Sequence, residues 1–222
     1  MPILDGPQWG PKTGPARHLV VLLHGVGADG NDLIDLAPGW AAAAPEAVFW
    51  SPHAPEAYDQ AGPGFGRQWF SLADRTPARM AAGLAAVAPV LDAAIAEQCV
   101  TLGIPLTHVA LVGFSQGAMT ALSYGLRRKI SPAAILAYSG ALPDAAGLAA
   151  TLASRPPVLL VHGEDDQVVP ANASRAAESA LRALEVPVES LFCPRLGHGI
   201  DQAGLSRGSL FLQRSLALLE PD

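Results

Sequence analysis

Two segments of this chain place a serine between glycines in the pattern Gly-x-Ser-x-Gly: Gly113-Phe114-Ser115-Gln116-Gly117 and Gly204-Leu205-Ser206-Arg207-Gly208. Such a serine can attack a carbonyl when the chain turns sharply from a strand into a helix. That turn exposes the hydroxyl and leaves no room for neighbouring Cβ atoms. Context separates the two segments. Ser115 follows the apolar run Val109-Ala110-Leu111-Val112 and precedes Ala118-Met119-Thr120-Ala121-Leu122, which starts a helix. Ser206 follows the polar Asp201-Gln202-Ala203, has no strand to aim it, and is expected in the first turn of the last helix.

A serine hydroxyl needs a base within hydrogen-bond reach, and that base needs an orienting carboxylate. On a sheet with a strand-turn-helix elbow the chain order is Ser, then Asp or Glu, then His. Of the six histidines only His162 and His198 follow Ser115. The turn 162-HGEDDQVVP-170 after the run Val158 to Val161 supplies Glu164, Asp165 and Asp166, so the base that follows an acid is His198, in the glycine-flanked loop 196-LGHGI-200. Spacing does not choose among the three acids. His24 and His162, at strand ends, read as structural.

The charge that develops on the attacked oxygen requires backbone N–H donors. One is expected from Gln116, at the start of its helix, and another from the early loop 23-LHGVGADGNDL-33, where Gly25 and Gly27 free the backbone around Val26. The same loop satisfies Gly-x-Gly-x-x-Gly, the dinucleotide fingerprint. A dinucleotide site would also want an acid at the end of the second strand, and Ala47-Val48-Phe49-Trp50-Ser51-Pro52-His53 offers none.

The elements that must position these groups alternate. Strands are expected at His18 to His24, Ala47 to Pro52, His108 to Phe114, Ala133 to Ser139, Pro157 to His162 and Val186 to Cys193. Runs such as Leu19-Val20-Val21-Leu22-Leu23 suit strands covered on both faces of a parallel sheet. Helical patterns lie between them. One opens at Thr76-Pro77 with an N-cap and a first-turn proline and runs towards Gly103, kinked or split at Pro89; others cover Ala171 to Leu184 and Gly204 to Leu219. The result is an α/β fold with a mostly parallel central sheet and helices on both faces. From His53 to Arg75 the chain lacks periodicity, and Phe65, Trp69 and Phe70 are candidates to cover a pocket there.

Composition narrows the field. The 222 residues, 50% hydrophobic and 15% charged, suit one domain spanning 1–222 with a substantial core. A net charge of −6 with 14 scattered basic residues argues against nucleic acid as a partner. The start MPILDGPQWGPKTG has no basic, apolar leader pattern, and the apolar stretch Met80 to Leu91 is too short to span a bilayer, so a soluble cytoplasmic protein without stable membrane insertion is expected. Cys99 and Cys193 are too few for a disulfide framework or a thiolate zinc site and read as buried small hydrophobes.

With LHGVGADGNDLIDLAP, GFSQGA, HGEDDQVVP and GHGI in this order, the chain resembles the phospholipase/carboxylesterase family of α/β-hydrolases, near acyl-protein thioesterases and small bacterial carboxylesterases. The resemblance implies a single-domain α/β-hydrolase fold without a large lid domain and a triad of Ser115, Asp166 and His198. Its His-Gly-x-x-Asp-x-x-Val-Pro pattern is what selects Asp166 over Asp165 and Glu164. It further implies oxyanion donors on the backbone of Val26 and Gln116, and substrate contacts from Trp69, Phe70 and Val169. Ser71 departs from the Asp that members carry after Trp-Phe. The implied activity is hydrolysis of short- to medium-chain carboxyl esters, with thioesterase or lysophospholipase activity as alternatives and a non-catalytic ligand-binding protein as the rival class. No metal and no cofactor are implied. The expected partners are a small-molecule ester and, as an open alternative to a monomer, a second copy of the chain in a homodimer.

Overall fold

The computed structural model describes residues 4–62 and 64–219. Its strands are β1 (Gln8–Trp9), β2 (His18–Leu23), β3 (Ala47–Trp50), β4 (Glu56–Ala57), β5 (Arg67–Gln68), β6 (Val109–Phe114), β7 (Ala134–Tyr138), β8 (Val158–Gly163) and β9 (Val188–Cys193). Its helices are α1 (Gly30–Leu33), α2 (Ala37–Trp40), α3 (Pro77–Leu102), α4 (Gln116–Leu126), α5 (Ala145–Thr151), α6 (Asn172–Ala183) and α7 (Gln202–Ala217). Each of the six runs expected as strands forms one.

The main sheet has the order β1-β3-β2-β6-β7-β8-β9, with β1 antiparallel to β3 and every other neighbouring pair parallel. Because side chains alternate across a strand, Leu19, Val21 and Leu23 of β2 enter one core with Leu84, Val87 and Leu91 of α3, Leu122 of α4 and Leu181 of α6. Val20 and Leu22 enter the other, with Trp40 of α2 and Phe211, Leu212 and Leu216 of α7. Strands apolar at every position are therefore buried on both faces, as the continuous runs imply. Cys99 and Cys193 are free and buried, one in each core, and desolvation pushes both thiols up to about 11.

Four details differ from expectation. First, α3 is not split: it runs unbroken through Pro89, which lies on the exposed face, where water can serve the carbonyl that proline leaves without a donor. Second, Thr76 occupies the N-cap position but its side chain makes no capping bond; its own N–H donates to Asp74 Oδ1 at 2.9 Å. Third, at 26 residues α3 is by length and composition long and apolar enough to cross a membrane. The apolar run read from the sequence stops at Asp92, whereas the helix continues past it; Leu84, Val87, Leu91, Ile95 and Cys99 give it one face inside the core. Fourth, the aperiodic stretch after β3 contains the two-stranded hairpin β4-β5, too short to leave a periodic signal.

The chain leaves β2 for β3 on one side, while β6 pairs with β2 on the other. At such a reversal the loops beyond the strand ends part and leave a crevice. The Gly25–Gly30 loop after β2 and the turn after β6 meet there.

Candidate active site

The turn after β6 is an elbow. Ser115 sits at φ 54° and ψ −115°, a region costly for a residue with a Cβ, by about 1–3 kcal/mol. Its N–H donates to Tyr138 O at 2.9 Å and its carbonyl accepts from Met119 N at 3.1 Å, so sheet and helix hold it from both sides. The flanking glycines are sterically required: a Cβ on Gly113 would strike the backbone of Gly117, and one on Gly117 would strike Leu23 O. The pattern thus records close passage of α4 over the ends of β2 and β6.

The structure brings Ser115, Asp166 and His198 together from three separate connections. His198 Nε2 lies 3.0 Å from Ser115 Oγ, and its Nδ1 lies 2.7 Å from Asp166 Oδ2. The His198 ring also packs on Phe114, with centroids 4.8 Å apart. Asp166 is buried, and its Oδ1 accepts from Val168 N at 2.8 Å and Val169 N at 2.9 Å. Burial alone would raise its pKa; the hydrogen bonds from His198, Val169 and Val168 outweigh it and hold the carboxyl below its ordinary value. The neighbouring acids point elsewhere. Glu164 is exposed and pairs with Arg175 at 2.7 Å, and Asp165 is exposed. The glycines beside His198 have a different status from those beside Ser115, since a Cβ on Gly197 or Gly199 would meet nothing. Gly163 is the glycine that lets this loop approach, because a Cβ there would strike the Leu196 and Gly197 carbonyls.

The loop after β2 runs along the elbow: a Cβ on Gly25 would lie 3.3 Å from the Phe114 ring and 3.5 Å from Ser115 Cβ. Gly27 N donates to Arg67 O and Arg67 N to Ala28 O, both at 2.8 Å, which pins this loop to β5. His24 anchors its start, with Nδ1 donating to Gly25 O at 2.8 Å and Nε2 accepting from Ala54 N at 3.1 Å; burial depresses its pKa, in keeping with a neutral structural role. Among the described residues, neither Val26 N–H nor Gln116 N–H has an acceptor.

The profile of the phospholipase/carboxylesterase family matches residues 8–216. The chain belongs to this family. The crystal structure of esterase PE8 superposes with a TM-score of 0.90 at 40% identity, covering 96% of this chain and 99% of that one. Esterase YpfH of Escherichia coli is 29% identical over 194 residues, 86% of this chain and 80% of the relative. Acyl-protein thioesterase 1 of Schizosaccharomyces pombe is 37% identical over 83 residues, 36% of this chain and 37% of its own. The fold is that of a single-domain α/β-hydrolase.

This phospholipase/carboxylesterase-family chain attaches its hairpin segment to the elbow through one side chain that sequence reasoning read only for its backbone. Gln116 Oε1 accepts from Trp69 N at 2.9 Å, and its Nε2 donates to Phe70 O at 2.6 Å. The amide thus holds residues 69–70 as a neighbouring strand would. A glutamine beside the serine was the available signal, but its partners are 46 and 47 residues away.

Trp69 and Phe70 are buried rather than open to the crevice. Trp69 Nε1 donates to His24 O at 2.8 Å, and Phe70 presses on α3 at Gly83. Both line a cleft of about 600 Å³ with Pro55, Ala82, Gly83, Ala86 and Val87; neither Ser115 nor His198 is among its walls. Phe65, grouped with them by sequence, is 73% exposed and stands apart. Ser71 donates its hydroxyl to the Asp59 carboxylate on the other side of the hairpin. Val169 is half-buried, and its N–H and C=O both serve the acid turn.

Proposed function

We propose that this protein is a serine carboxylesterase that hydrolyses short- to medium-chain carboxyl esters through an acyl-enzyme on Ser115. The observation that carries this reading is the Ser115–His198–Asp166 chain of contacts at 3.0 Å and 2.7 Å on a strained elbow. His198 Nε2 takes the Ser115 proton as Oγ attacks the ester carbonyl. The resulting oxyanion lies against the open N–H groups of Val26 and Gln116, donors that are in place before charge develops. Collapse breaks the bond to the alcohol, which leaves with the proton held by His198. Water then gives a proton to His198 and attacks the acyl carbonyl, and Ser115 recovers its proton as the carboxylic acid departs.

No step uses a metal or an organic cofactor. Asp166 keeps the imidazole in the tautomer that presents Nε2 to serine. Trp69 and Phe70 shape the acyl side through Gln116, and Val169 flanks the site from the acid turn. We place the enzyme in the cytoplasm, acting on a soluble small ester.

The test is covalent labelling by a fluorophosphonate, followed by turnover of aryl esters and matching thioesters of increasing acyl length. Labelling at Ser115 with ester turnover is the expected result. Reversible binding without labelling or turnover would make the chain a ligand-binding protein on a hydrolase scaffold. Faster thioester than ester turnover would favour the second reading, a thioesterase, which the partial match to acyl-protein thioesterase 1 supports. Each methylene productively buried adds ~0.8 kcal/mol, about fourfold in kcat/KM, so the slope against chain length measures the depth of the acyl site.

A further inference from the structure

His162, near the end of β8 and just before the turn that carries Asp166, has no part in the mechanism above. Its imidazole is wholly buried. The ring Nε2 lies 2.8 Å from Val169 O and 3.2 Å from Asp166 Oδ2, and since both oxygens only accept, Nε2 carries a proton. Nδ1 lies 2.6 Å from Ser174 Oγ on α6, which is itself 3.1 Å from Gly140 O in the segment after β7. One ring therefore joins β8, the acid turn, α6 and the end of β7.

The Asp166 carboxylate is held at both oxygens. Oδ1 takes the Val168 and Val169 amides, and Oδ2 takes His198 at 2.7 Å, with His162 Nε2 3.2 Å away. Val169 is held at both ends, its N–H by Asp166 and its carbonyl by His162. We propose that His162 is a positioning residue for the triad acid: its Nε2–H, bonded to Val169 O and 3.2 Å from Asp166 Oδ2, fixes the turn that aims Asp166 at His198. The proposal rests on the acyl-enzyme reading above. Without that donor, Val169 O loses its partner, the 166–169 turn can relax, and the carboxylate can rotate away from His198. A misplacement on the order of 1 Å in such an array costs about 10²-fold in rate.

Two variants of the whole chain separate this role from packing. His162→Phe keeps a planar ring without a donor, whereas His162→Gln keeps an N–H near the position of the ring Nε2. The readouts are kcat and KM on an aryl ester, and the far-downfield proton resonance of the His198 Nδ1–H···Asp166 bond. For His162→Phe the expected result is a kcat lower by about 10²-fold, KM within about twofold, and a lost or broadened resonance. His162→Gln should recover about tenfold of that loss. Folded His162→Phe with the parental kcat and resonance would overturn the proposal, as would equal losses in Phe and Gln variants with the resonance unchanged. If His162→Phe does not fold, His162→Asn replaces it, since its shorter amide reaches towards Ser174 but not Val169 O; a parental kcat there also overturns the role. If the parent hydrolyses no ester, the functional reading fails and the resonance alone decides. Its loss in the Phe variant supports positioning, and its persistence overturns it.

Discussion

The segments GFSQG and GLSRG share a pattern and nothing of its physical cause. In the first, glycines at 113 and 117 exist because α4 crosses the ends of β2 and β6 at backbone contact, with Ser115 held at positive φ between them. In the second, all five residues lie within α7, Ser206 is exposed, and its hydroxyl is 3.3 Å from Gln202 Nε2. Gly204 and Gly208 are buried for another reason: they let α7 settle on the sheet, where a Cβ on Gly208 would strike the Tyr138 hydroxyl and the Trp40 ring. Tyr138 and Trp40 then donate to Gly204 O and Leu205 O at 3.2 and 3.1 Å. Helix α7 (Gln202–Ala217) is capped by Asp201 Oδ1 on Gly204 N at 2.8 Å, which puts Ser206 in the second turn rather than the first. The same spacing can therefore report a strand-to-helix elbow or a helix-to-sheet seam, and only the element preceding it distinguishes them.

The sharpest way to break this contrast is to remove each hydroxyl. Ser115→Ala should lower kcat by up to about 10⁶-fold, while Ser206→Ala should change stability by less than about 0.5 kcal/mol and leave kcat alone. Steady-state kinetics on an aryl ester and a denaturation curve decide both. Next comes the candidate acid: Asp166→Asn should cost on the order of 10⁴ in kcat, by analogy with a well-characterised serine hydrolase, whereas Asp165→Asn should cost little. Loss of activity in the Asp165 variant alone would reassign the acid.

The same carboxylate gives a pH test. Its pKa is depressed in the folded state. It therefore contributes stability that is complete above the ordinary Asp value of about 3.9 and vanishes as pH falls from there through the folded value. Asp166→Asn should flatten the acid limb of Tm against pH, and a parallel limb would count against the depressed pKa.

The glycines come third. Gly117→Ala meets a backbone carbonyl that cannot yield and should destabilise by more than about 3 kcal/mol; Gly208→Ala meets side chains and should cost about 1–3 kcal/mol with kcat retained. The smallest effect belongs to the tether. Gln116→Ala leaves Trp69 N and Phe70 O buried without partners, about 1–3 kcal/mol, read by thermal unfolding. An accompanying fall in kcat/KM would show that the 69–70 segment works through the elbow, and an unchanged value would assign the Gln116 side chain to stability only.

Much of this molecule was readable without coordinates wherever a local rule had a periodic or ordered signal. The sheet strands are apolar at consecutive positions because both faces are covered, so their runs stand out. The order of serine, acid and histidine, with an apolar run before only one of the two serines, separates Ser115 from Ser206. The family pattern, rather than spacing, distinguishes Asp166 from Asp165. What could not be read there are contacts between residues far apart in the chain: the Gln116 amide on residues 69–70, the Arg67 ladder to the glycine loop, and the separation of Phe65 from Trp69 and Phe70. The same holds for glycines, whose letter is identical at 117, where Leu23 O forbids a side chain, and at 197, where nothing does.

By itself the sequence determined the alternating α/β order, the double burial of the strands and the candidates for a serine, an acid and a base. Those follow from side-chain hydrophobicity and spacing, which are properties of the chain. The tertiary structure alone decided which polar atoms meet: that Asp166 accepts from the His198 imidazole and two amides while Glu164 turns to Arg175, and that a glutamine beside the serine clasps a hairpin. Hydrogen bonds are short-ranged and directional, so their partners are set by packing that no local pattern encodes.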